Sequence, residues 1–453
     1  MNRQPYATPP QRWEAKLSEI FVRCTRAWRR RQMRVGQRIV GIDVRGMEKV
    51  KAAAEAGDGV LIIPNHSTHY DSAALYLAAD AVDQPLYFMT AWQVFAMSGW
   101  FERRALQRLG CFSVDRERND RHAFKTAIEL LVSAKHPLVI FPEGDIYHVT
   151  DEVTPFREGA AAIAISAAKK QTRRIVAFPC AIKFRYVDDP TPELLTTLTE
   201  MEERFHLRSP REAGIVRRIY RLAEVSLALK EIDYHGATSA GPIRGRMDVL
   251  METVLSQLEA KHGVPKNGTF PERVKALRQS IILKSEEWIA RFRDEREGKH
   301  RTKRATAEDD LVTMNRWIRD PEALAALQPL NEDLEDLFFV MQVYSYPGTY
   351  LRNEPSIERI AETIDKLEED VLGRDLPRVR GTRRVEIVIG DAIPIQTSER
   401  KERGEVPALT ARLHGAVQRL MDELNGVRPR TPSETPTESS LGAATATQEH
   451  ART

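Results

Sequence analysis

Two side chains that can carry out acid–base chemistry, His66 and Asp71, lie within the stretch 59–76, GVLIIPNHSTHYDSAALY. The apolar run that precedes them predicts a short buried strand ending at Pro64, and the residues from Ser72 onward predict a helix. The pair therefore falls in a strand-to-helix turn, where open α/β sheets usually place their chemistry. A tight turn would bring the aspartate to the imidazole, and a carboxylate on one ring nitrogen makes the other nitrogen a general base.

No serine or cysteine nucleophile accompanies this pair, so the base would act directly on an incoming hydroxyl. An isolated H-x4-D pair is more often a helix-capping aspartate beside a solvated histidine, because short motifs occur by chance. The surrounding motifs distinguish these two interpretations.

Three further stretches follow the first in a fixed order. A strand-like segment ends in Phe-Ser-Val-Asp-Arg116, a second ends in Phe-Pro-Glu-Gly144, and a third, at 175–183, is interrupted by Pro179. The order NHxxxxD, FxVDR, FPEG and a VxxPxxI-like strand resembles the 1-acylglycerol-3-phosphate acyltransferase family of glycerolipid acyltransferases. The segment 155–161, PFREGAA, is similar to that family's PFKxGAA segment.

The resemblance implies a role for each of five residues. His66 would be the general base and Asp71 would orient it. Arg116 would bind a phosphate, because guanidinium groups bind phosphate in bidentate fashion. Glu143 would hold that arginine in place or accept a hydrogen bond from the acceptor, and Gly144 would let the backbone approach the ligand.

The resemblance also implies the substrates. The donor would be acyl-CoA or an acyl carrier protein, and the acceptor a lysophospholipid or glycerol phosphate, first of all 1-acylglycerol-3-phosphate in phospholipid biosynthesis. Direct attack needs no metal, no other cofactor and no covalent intermediate, and we expect no nucleic-acid partner.

Two positions depart from the family pattern. Thr68 replaces the usual serine after the histidine, which is a mild change. Ile146 stands where the family has an arginine, and this weakens the prediction of a phosphate-bearing acceptor. His148, Arg157 or Lys183 would restore the charge if the fold brought one of them to the site.

Composition places the chain among ordinary globular proteins, with 453 residues and a net charge of +3. Cys24, Cys111 and Cys180 are far apart and odd in number, which indicates reduced, buried thiols and a cytoplasmic location rather than a disulfide framework. We find neither a signal peptide nor an apolar run of about 18 residues that would span a membrane.

Residues 11–35 predict one amphipathic helix with a basic C-terminal half. Its shared apolar face would contain Trp13, Leu17, Ile20, Cys24 and Trp28. Tryptophan on one face and arginine on the other are typical of a helix that lies on an anionic membrane. Packing on the rest of the protein is the equally weighted alternative. The first interpretation predicts a peripheral protein on the inner face of a membrane.

Alternating strands and helices predict an α/β fold with a mainly parallel layered sheet, interrupted by a large all-helical insertion. The stretch 92–101 is rich in aromatic residues, which predicts that it packs in the hydrophobic core or forms a wall for an acyl chain. The predicted divisions are an N-terminal helix (1–37), an acyltransferase α/β domain (38–190 and 381–397), the helical insertion (191–380), a C-terminal helix (398–426) and a disordered tail (427–453).

Two other functional classes stay open. One is a metal-dependent hydrolase that uses a cluster of His66, His69 and Asp71, although their spacing matches no usual metal set. The other is a membrane-bound scaffold without catalytic activity, which is hard to reconcile with the presence of all the motif residues.

Overall fold

A mostly parallel sheet forms the centre of the computed structural model, which describes residues 12–116, 120–209, 212–297, 320–396 and 404–426. Its strands are β1 (Ile39–Arg45), β2 (Gly59–Pro64), β3 (Tyr87–Ala91), β4 (Cys111–Val114), β5 (Leu138–Val139), β6 (Ile175–Tyr186), β7 (Arg383–Ile389) and β8 (Ile393–Pro394). The strand order is β1-β7-β6-β2-β5-β3-β4, and β8 also pairs with β6. β7 and β8 run antiparallel to β6, and the other pairs are parallel. The predicted α/β fold with a mainly parallel sheet is confirmed.

β2 lies between β5 and β6, and all of its residues are buried. Burial on both faces is the reason that its sequence is a continuous apolar run rather than an alternating one. Val60 and Ile62 face one core, while Leu61 and Ile63 face the other. The strand that leads to His66 is therefore fixed from both sides.

Helices cover both faces of the sheet. They are α1 (Glu19–Cys24), α2 (Arg26–Gly36), α3 (Met47–Glu55), α4 (Asp71–Ala81), α5 (Trp92–Met97), α6 (Trp100–Arg108), α7 (Arg121–Ser133), α8 (Gly159–Ala168) and the C-terminal α15 (Glu405–Leu424). α3 and α4 pack on the face of Val60, and α7, α8 and α15 on the face of Leu61. α4 begins at Asp71, one residue before the predicted start.

The helical insertion lies between β6 and β7. Its described helices are α9 (Thr191–Arg204), α10 (Ile215–His235), α11 (Ile243–His262), α12 (Phe270–Glu297), α13 (Pro321–Tyr344) and α14 (Ile357–Leu372). They bury two apolar cores of their own. Helical periodicity within the insertion predicts separate helices at 212–234, 241–262, 271–297, 309–319 and 356–372. α9 and α13 have no counterpart among these, and α13 contains Pro329. The helix predicted at 309–319 and the predicted disordered tail lie outside the described residues.

The prediction of one continuous helix over 11–35 is wrong. Residues 12–18 are not helical. Trp13 exchanges hydrogen bonds with Ser113, because its N–H donates to the serine Oγ (2.8 Å) and its carbonyl accepts from the serine N–H (2.8 Å). Its ring stacks on Phe95 with a centroid distance of 5.1 Å. Contact with β4 and α5 therefore replaces the predicted helical turns.

The predicted apolar face is also wrong, because an arginine occupies the buried side of α2. Arg29 Nη2 donates to both carboxylate oxygens of Asp80 (2.6 and 2.8 Å), and both side chains are buried. Trp28 is instead 54 % exposed. A charge that is paired and hydrogen-bonded in this way tolerates burial, which a helical pattern of apolar residues cannot indicate.

The aromatic stretch 92–101 divides between core and surface. Trp92 and Phe95 are buried, as predicted, whereas Trp100 and Phe101 are about 70 % exposed (69 % and 71 %). Cys24 is exposed too, against the prediction, while Cys111 and Cys180 are buried free thiols. Within the described parts of the chain, no helix combines the length and apolarity needed to cross a bilayer.

Candidate active site

The turn from β2 to α4 is built around the carboxylate of Asp71, which is fully buried. Its Oδ2 accepts the backbone N–H groups of Ser67 (2.7 Å) and Thr68 (2.9 Å), and its Oδ1 accepts the hydroxyl of Thr68 (2.9 Å). The carboxylate also lies in the first turn of α4, where the helix dipole favours negative charge. The threonine hydroxyl makes a bond that the usual serine could make, so this departure from the family motif keeps the turn intact.

His66 is held by the same carboxylate. Its Nδ1 lies 3.0 Å from Asp71 Oδ2, and its ring packs on Phe141 with a centroid distance of 4.2 Å. Because Asp71 is an acceptor, we assign the ring proton to Nδ1, which leaves Nε2 as the basic nitrogen. His66 is only partly buried and lines a large pocket, so this nitrogen is available to a ligand.

Glu143 supports the backbone of His66. Its Oε1 accepts the N–H of His66 at 2.6 Å, and its Oε2 contacts the N–H and the hydroxyl of Thr154. Burial raises the pKa of Glu143 to about 8, and the bonds from Thr154 and His66 only partly oppose this shift. The side chain is therefore mostly protonated at neutral pH and positions the histidine through the main chain.

Arg116 has a different partner from the one expected. Its Nη1 donates to the carbonyl of Gly144 (2.6 Å) and lies 3.7 Å from Asp145 Oδ1, so Asp145 rather than Glu143 is the carboxylate beside it. Burial acts to raise the pKa of Asp145, but the charges of Arg116 and Arg157 outweigh it, and the pKa is lowered. An ionised Asp145 thus balances one of two neighbouring guanidinium groups.

Gly144 is required by its conformation and by its neighbour. Its φ of +76° is a backbone angle that residues other than glycine rarely adopt. A Cβ atom at this position would lie 2.4 Å from Nε of Arg157. The glycine therefore lets the arginine pack directly against the FPEG turn.

Arg157 brings a second arginine to the pocket, at the position where the family segment PFKxGAA has a lysine. Both Arg157 and Arg116 line the pocket of His66, whereas the two other candidates for the missing charge do not. His148 is buried against Glu369, and Lys183 is buried against Asp151 and Asn425. The second positive charge of the pocket is thus supplied from the PFREGAA segment.

The pocket has a volume of about 600 Å³ and joins two kinds of surface. His66, Arg116, Gly144 and Arg157 lie in its wall together with apolar side chains of β3, α5 and α8. Trp28 and Met97, which also line it, are more than half exposed (54 % and 58 %). A ligand with an anionic head and an apolar tail would match this lining.

The turns at Asp71 and Gly144 offer backbone N–H groups as candidates for an oxyanion site, but three of these groups already have acceptors. Those of Ser67 and Thr68 already donate to Asp71, and that of Gly144 donates to the carbonyl of Phe141 (3.2 Å).

His69 does not join His66 and Asp71 in a metal cluster, as the sequence had left open. Its Nε2 lies 2.7 Å from Oε1 of Glu369 on α14, and the Nε2 of His148 lies 3.0 Å from the same oxygen. Burial lowers the pKa of His148 to about 4, so this histidine is a neutral donor. Among the described residues, one set of side chains that could ligate a metal ion has its ligand atoms within 4.8 Å of one another. It consists of His69, His148 and Glu369.

Three residues of the site were not found from the sequence, and a fourth was only one of several candidates. Asp145 and Thr154 lie next to motif residues, but only the fold shows which hydrogen bonds they make. Arg157 was named only as one of three candidates. Glu369 is 300 residues from His69, and a buried glutamate inside an acidic helix carries no sequence signal of its partner.

The fold and site define an α/β domain that holds a histidine–aspartate pair beside a pocket lined by arginines, aspartates and an extended apolar wall. Residues 41–183 match the family model described as acyltransferase. This range contains His66, Asp71, Arg116 and Glu143, and the match supports a general acyl-transfer activity for this part of the chain. A comparison with curated proteins gives no match.

The raised pKa of Glu143 leads to a testable pH dependence. Between about pH 4.5, where the unfolded carboxyl ionises, and about pH 8, the folded protein keeps a proton that the unfolded chain has lost. The free energy of unfolding should therefore fall as the pH rises through this window. Glu143→Gln removes the ionisation, so the stability of this variant relative to the natural protein should increase with pH.

Thermal unfolding across the same pH range measures this difference. Glu129→Gln, at an exposed position on α7, is the matched control and should track the natural protein. Parallel curves for Glu143→Gln and the natural protein would show that Glu143 is ionised when folded.

Proposed function

We propose that the protein transfers a fatty acyl chain from an acyl thioester, acyl-CoA or acyl carrier protein, to the hydroxyl of a lysophospholipid or glycerol-phosphate acceptor. The foremost candidate acceptor is 1-acylglycerol-3-phosphate. One observation carries this proposal: a histidine–aspartate base and two arginines line the same pocket as an extended apolar wall. The base suits a hydroxyl, the arginines suit a phosphate, and the wall suits an acyl chain.

In the proposed reaction, Nε2 of His66 takes the proton of the acceptor hydroxyl, and the oxygen of that hydroxyl attacks the thioester carbonyl. Asp71 stabilises the imidazolium that forms and keeps the ring in place. Collapse of the tetrahedral intermediate breaks the C–S bond, and His66 returns its proton to the leaving thiolate. A well-placed general base contributes about 10²–10⁴ in rate.

The phosphate of the acceptor would bind between Arg116 and Arg157. Arg116 is already oriented by Gly144 and Asp145, so little rotamer freedom is lost when the phosphate binds. Ile146 supplies no charge, which makes this site less basic than the family motif with its arginine. Acceptors with a single negative charge on phosphate would therefore compete with lysophosphatidate.

We further propose that the protein is cytoplasmic and binds the inner face of a membrane as a peripheral protein. The exposed apolar side chains Trp28 and Met97 line the pocket, and Trp100 and Phe101 follow closely in the chain. We call these four residues the pocket rim. Exposed arginines on α2, at positions 30, 31 and 34, add positive charge nearby. Such a rim would let a lipid acceptor enter from the bilayer without crossing water.

Removal of the base tests the reaction directly. His66→Ala should lower turnover by at least the 10²–10⁴ expected of a general base, and Asp71→Asn should come close to it. The measurement is thiol release from acyl-CoA in the presence of a panel of lysolipids. His122→Ala, at an exposed position on α7, controls for loss of a histidine elsewhere. Near-normal turnover in folded His66→Ala protein would exclude this mechanism.

Charge reversal separates the acceptor site from the donor site. Arg116→Glu should raise the acceptor KM about 10- to 100-fold, because a charge-assisted hydrogen bond contributes about 1.5–3 kcal/mol. The donor KM should change less. Arg121→Glu, exposed at the start of α7, is the control for net charge. A larger rise in the donor KM would place Arg116 in the thioester site instead.

Substitution of the pocket rim tests membrane binding. Trp28→Ser combined with Trp100→Ser and Phe101→Ser should move protein from anionic vesicles to the soluble fraction in a flotation assay. High salt should weaken the binding that remains, because it screens the arginines. The control combines Val249→Ser with Leu283→Ser, two exposed apolar positions in the helical insertion. Equal losses in both sets would show that the rim has no special role.

A further inference from the structure

A second pocket of about 370 Å³ lies mainly in the helical insertion, and His148 and Val149 of the α/β domain also line it. It shares no lining residue with the pocket of His66. Side chains of α10, α11, α13 and α14 line it, together with the loop after α13. Most of them are apolar, among them Leu227, Met247, Phe339 and Val343. Small-molecule sites in proteins are usually concave and apolar, with a few well-placed polar groups, and have volumes of about 300–1,000 Å³.

One polar group in this lining is a buried lysine. Lys366 of α14 is 2 % exposed, and among the described residues its Nζ has no hydrogen-bond partner. Nζ lies 4.5 Å from the ring centre of Tyr346 and 3.7 Å from Asp370 Oδ2. The second distance is too long for a hydrogen bond. A buried ammonium group with unused donors is costly unless an acceptor satisfies it.

Asp370 does not fill that role, because its Oδ2 lies beyond hydrogen-bond distance of Lys366 Nζ and both of its oxygens accept from other groups. Its Oδ1 accepts from Gln342 (2.8 Å), and its Oδ2 accepts from the hydroxyl of Tyr346 (2.7 Å). The carboxylate still offsets part of the charge of Lys366. Lys366 therefore has hydrogen-bond donors for one further small acceptor group. Its single charge, partly offset by Asp370, would not balance a multiply charged phosphate.

We propose that this pocket binds a free fatty acid, with its carboxylate on Lys366 and its alkyl chain among the apolar side chains of α10, α11 and α13. A single carboxylate offers the acceptor atoms that Lys366 lacks, and one alkyl chain suits the remaining apolar volume. This pocket is distinct from the pocket of the proposed acyl transfer, and its occupancy does not depend on that activity.

Photochemical labelling of the full-length protein tests the site. A palmitate analogue with a diazirine in its chain is bound, irradiated and mapped by mass spectrometry of peptides. We expect label on peptides covering 339–347 and 363–371. The pocket of His66 also accepts acyl chains, so label on peptides covering 88–97 serves as an internal measure of folded protein.

Two variants act on different parts of the pocket. Lys366→Met removes the headgroup donors with little change in volume, and Ala223→Trp fills the cavity from α10. Each should lower labelling of the two insertion peptides at least tenfold without lowering the label on 88–97. Lys275→Met and Glu224→Trp, at exposed positions on α12 and α10, are the matched controls and should change neither.

Label confined to 88–97 in the natural protein would overturn the proposal. So would insertion labelling that persists in both Lys366→Met and Ala223→Trp.

Discussion

The carboxylate of Asp71 fixes the geometry on which the rest of the site depends. It accepts two backbone N–H groups, one hydroxyl and one imidazole N–H from the turn that it closes. A buried carboxylate that gathers this many donors at a helix start determines the path of the turn as well as the tautomer of His66. Glu143 adds a second carboxyl to the same turn from the opposite side, through the main chain of His66. One acidic group thus orients the ring, and a second holds the backbone that carries it.

The positive charge of the pocket comes from two different segments of the chain. Ile146 supplies no charge at the FPEG turn, whereas Arg157 packs on that turn from just before α8 because Gly144 leaves room for it. Asp145 offsets part of this charge. The pocket is therefore less basic than two free arginines would make it.

Much of the catalytic half could be predicted from the sequence, because its signals are local. The run at 60–63 is apolar throughout since β2 is buried on both faces, and the histidine and aspartate follow it within one turn. The prediction of a single helix over 11–35 was wrong because hydrogen bonds of Trp13 to β4 and the ion pair of Arg29 with Asp80 are tertiary contacts. The sequence also could not show that Glu369 contacts His69 or that Asp145 lies beside Arg116, because these distances are set only by the fold. The domain boundaries and the roles of the site residues toward substrate stay predictions.

Glu369 of α14 contacts His69 and His148, so a side chain of the helical insertion is buried in the interior of the α/β domain. Its carboxyl is buried, and although burial acts to raise its pKa, the two histidine donors hold that pKa well below its usual range. A shortened protein that lacked 191–380 would leave two inward-facing imidazoles without this acceptor, one of them within the motif turn itself. The insertion is thus no removable accessory. A change at Glu369 of α14 would therefore act directly on the turn from β2 to α4. A shortened version of the α/β domain would need to retain α14 as well.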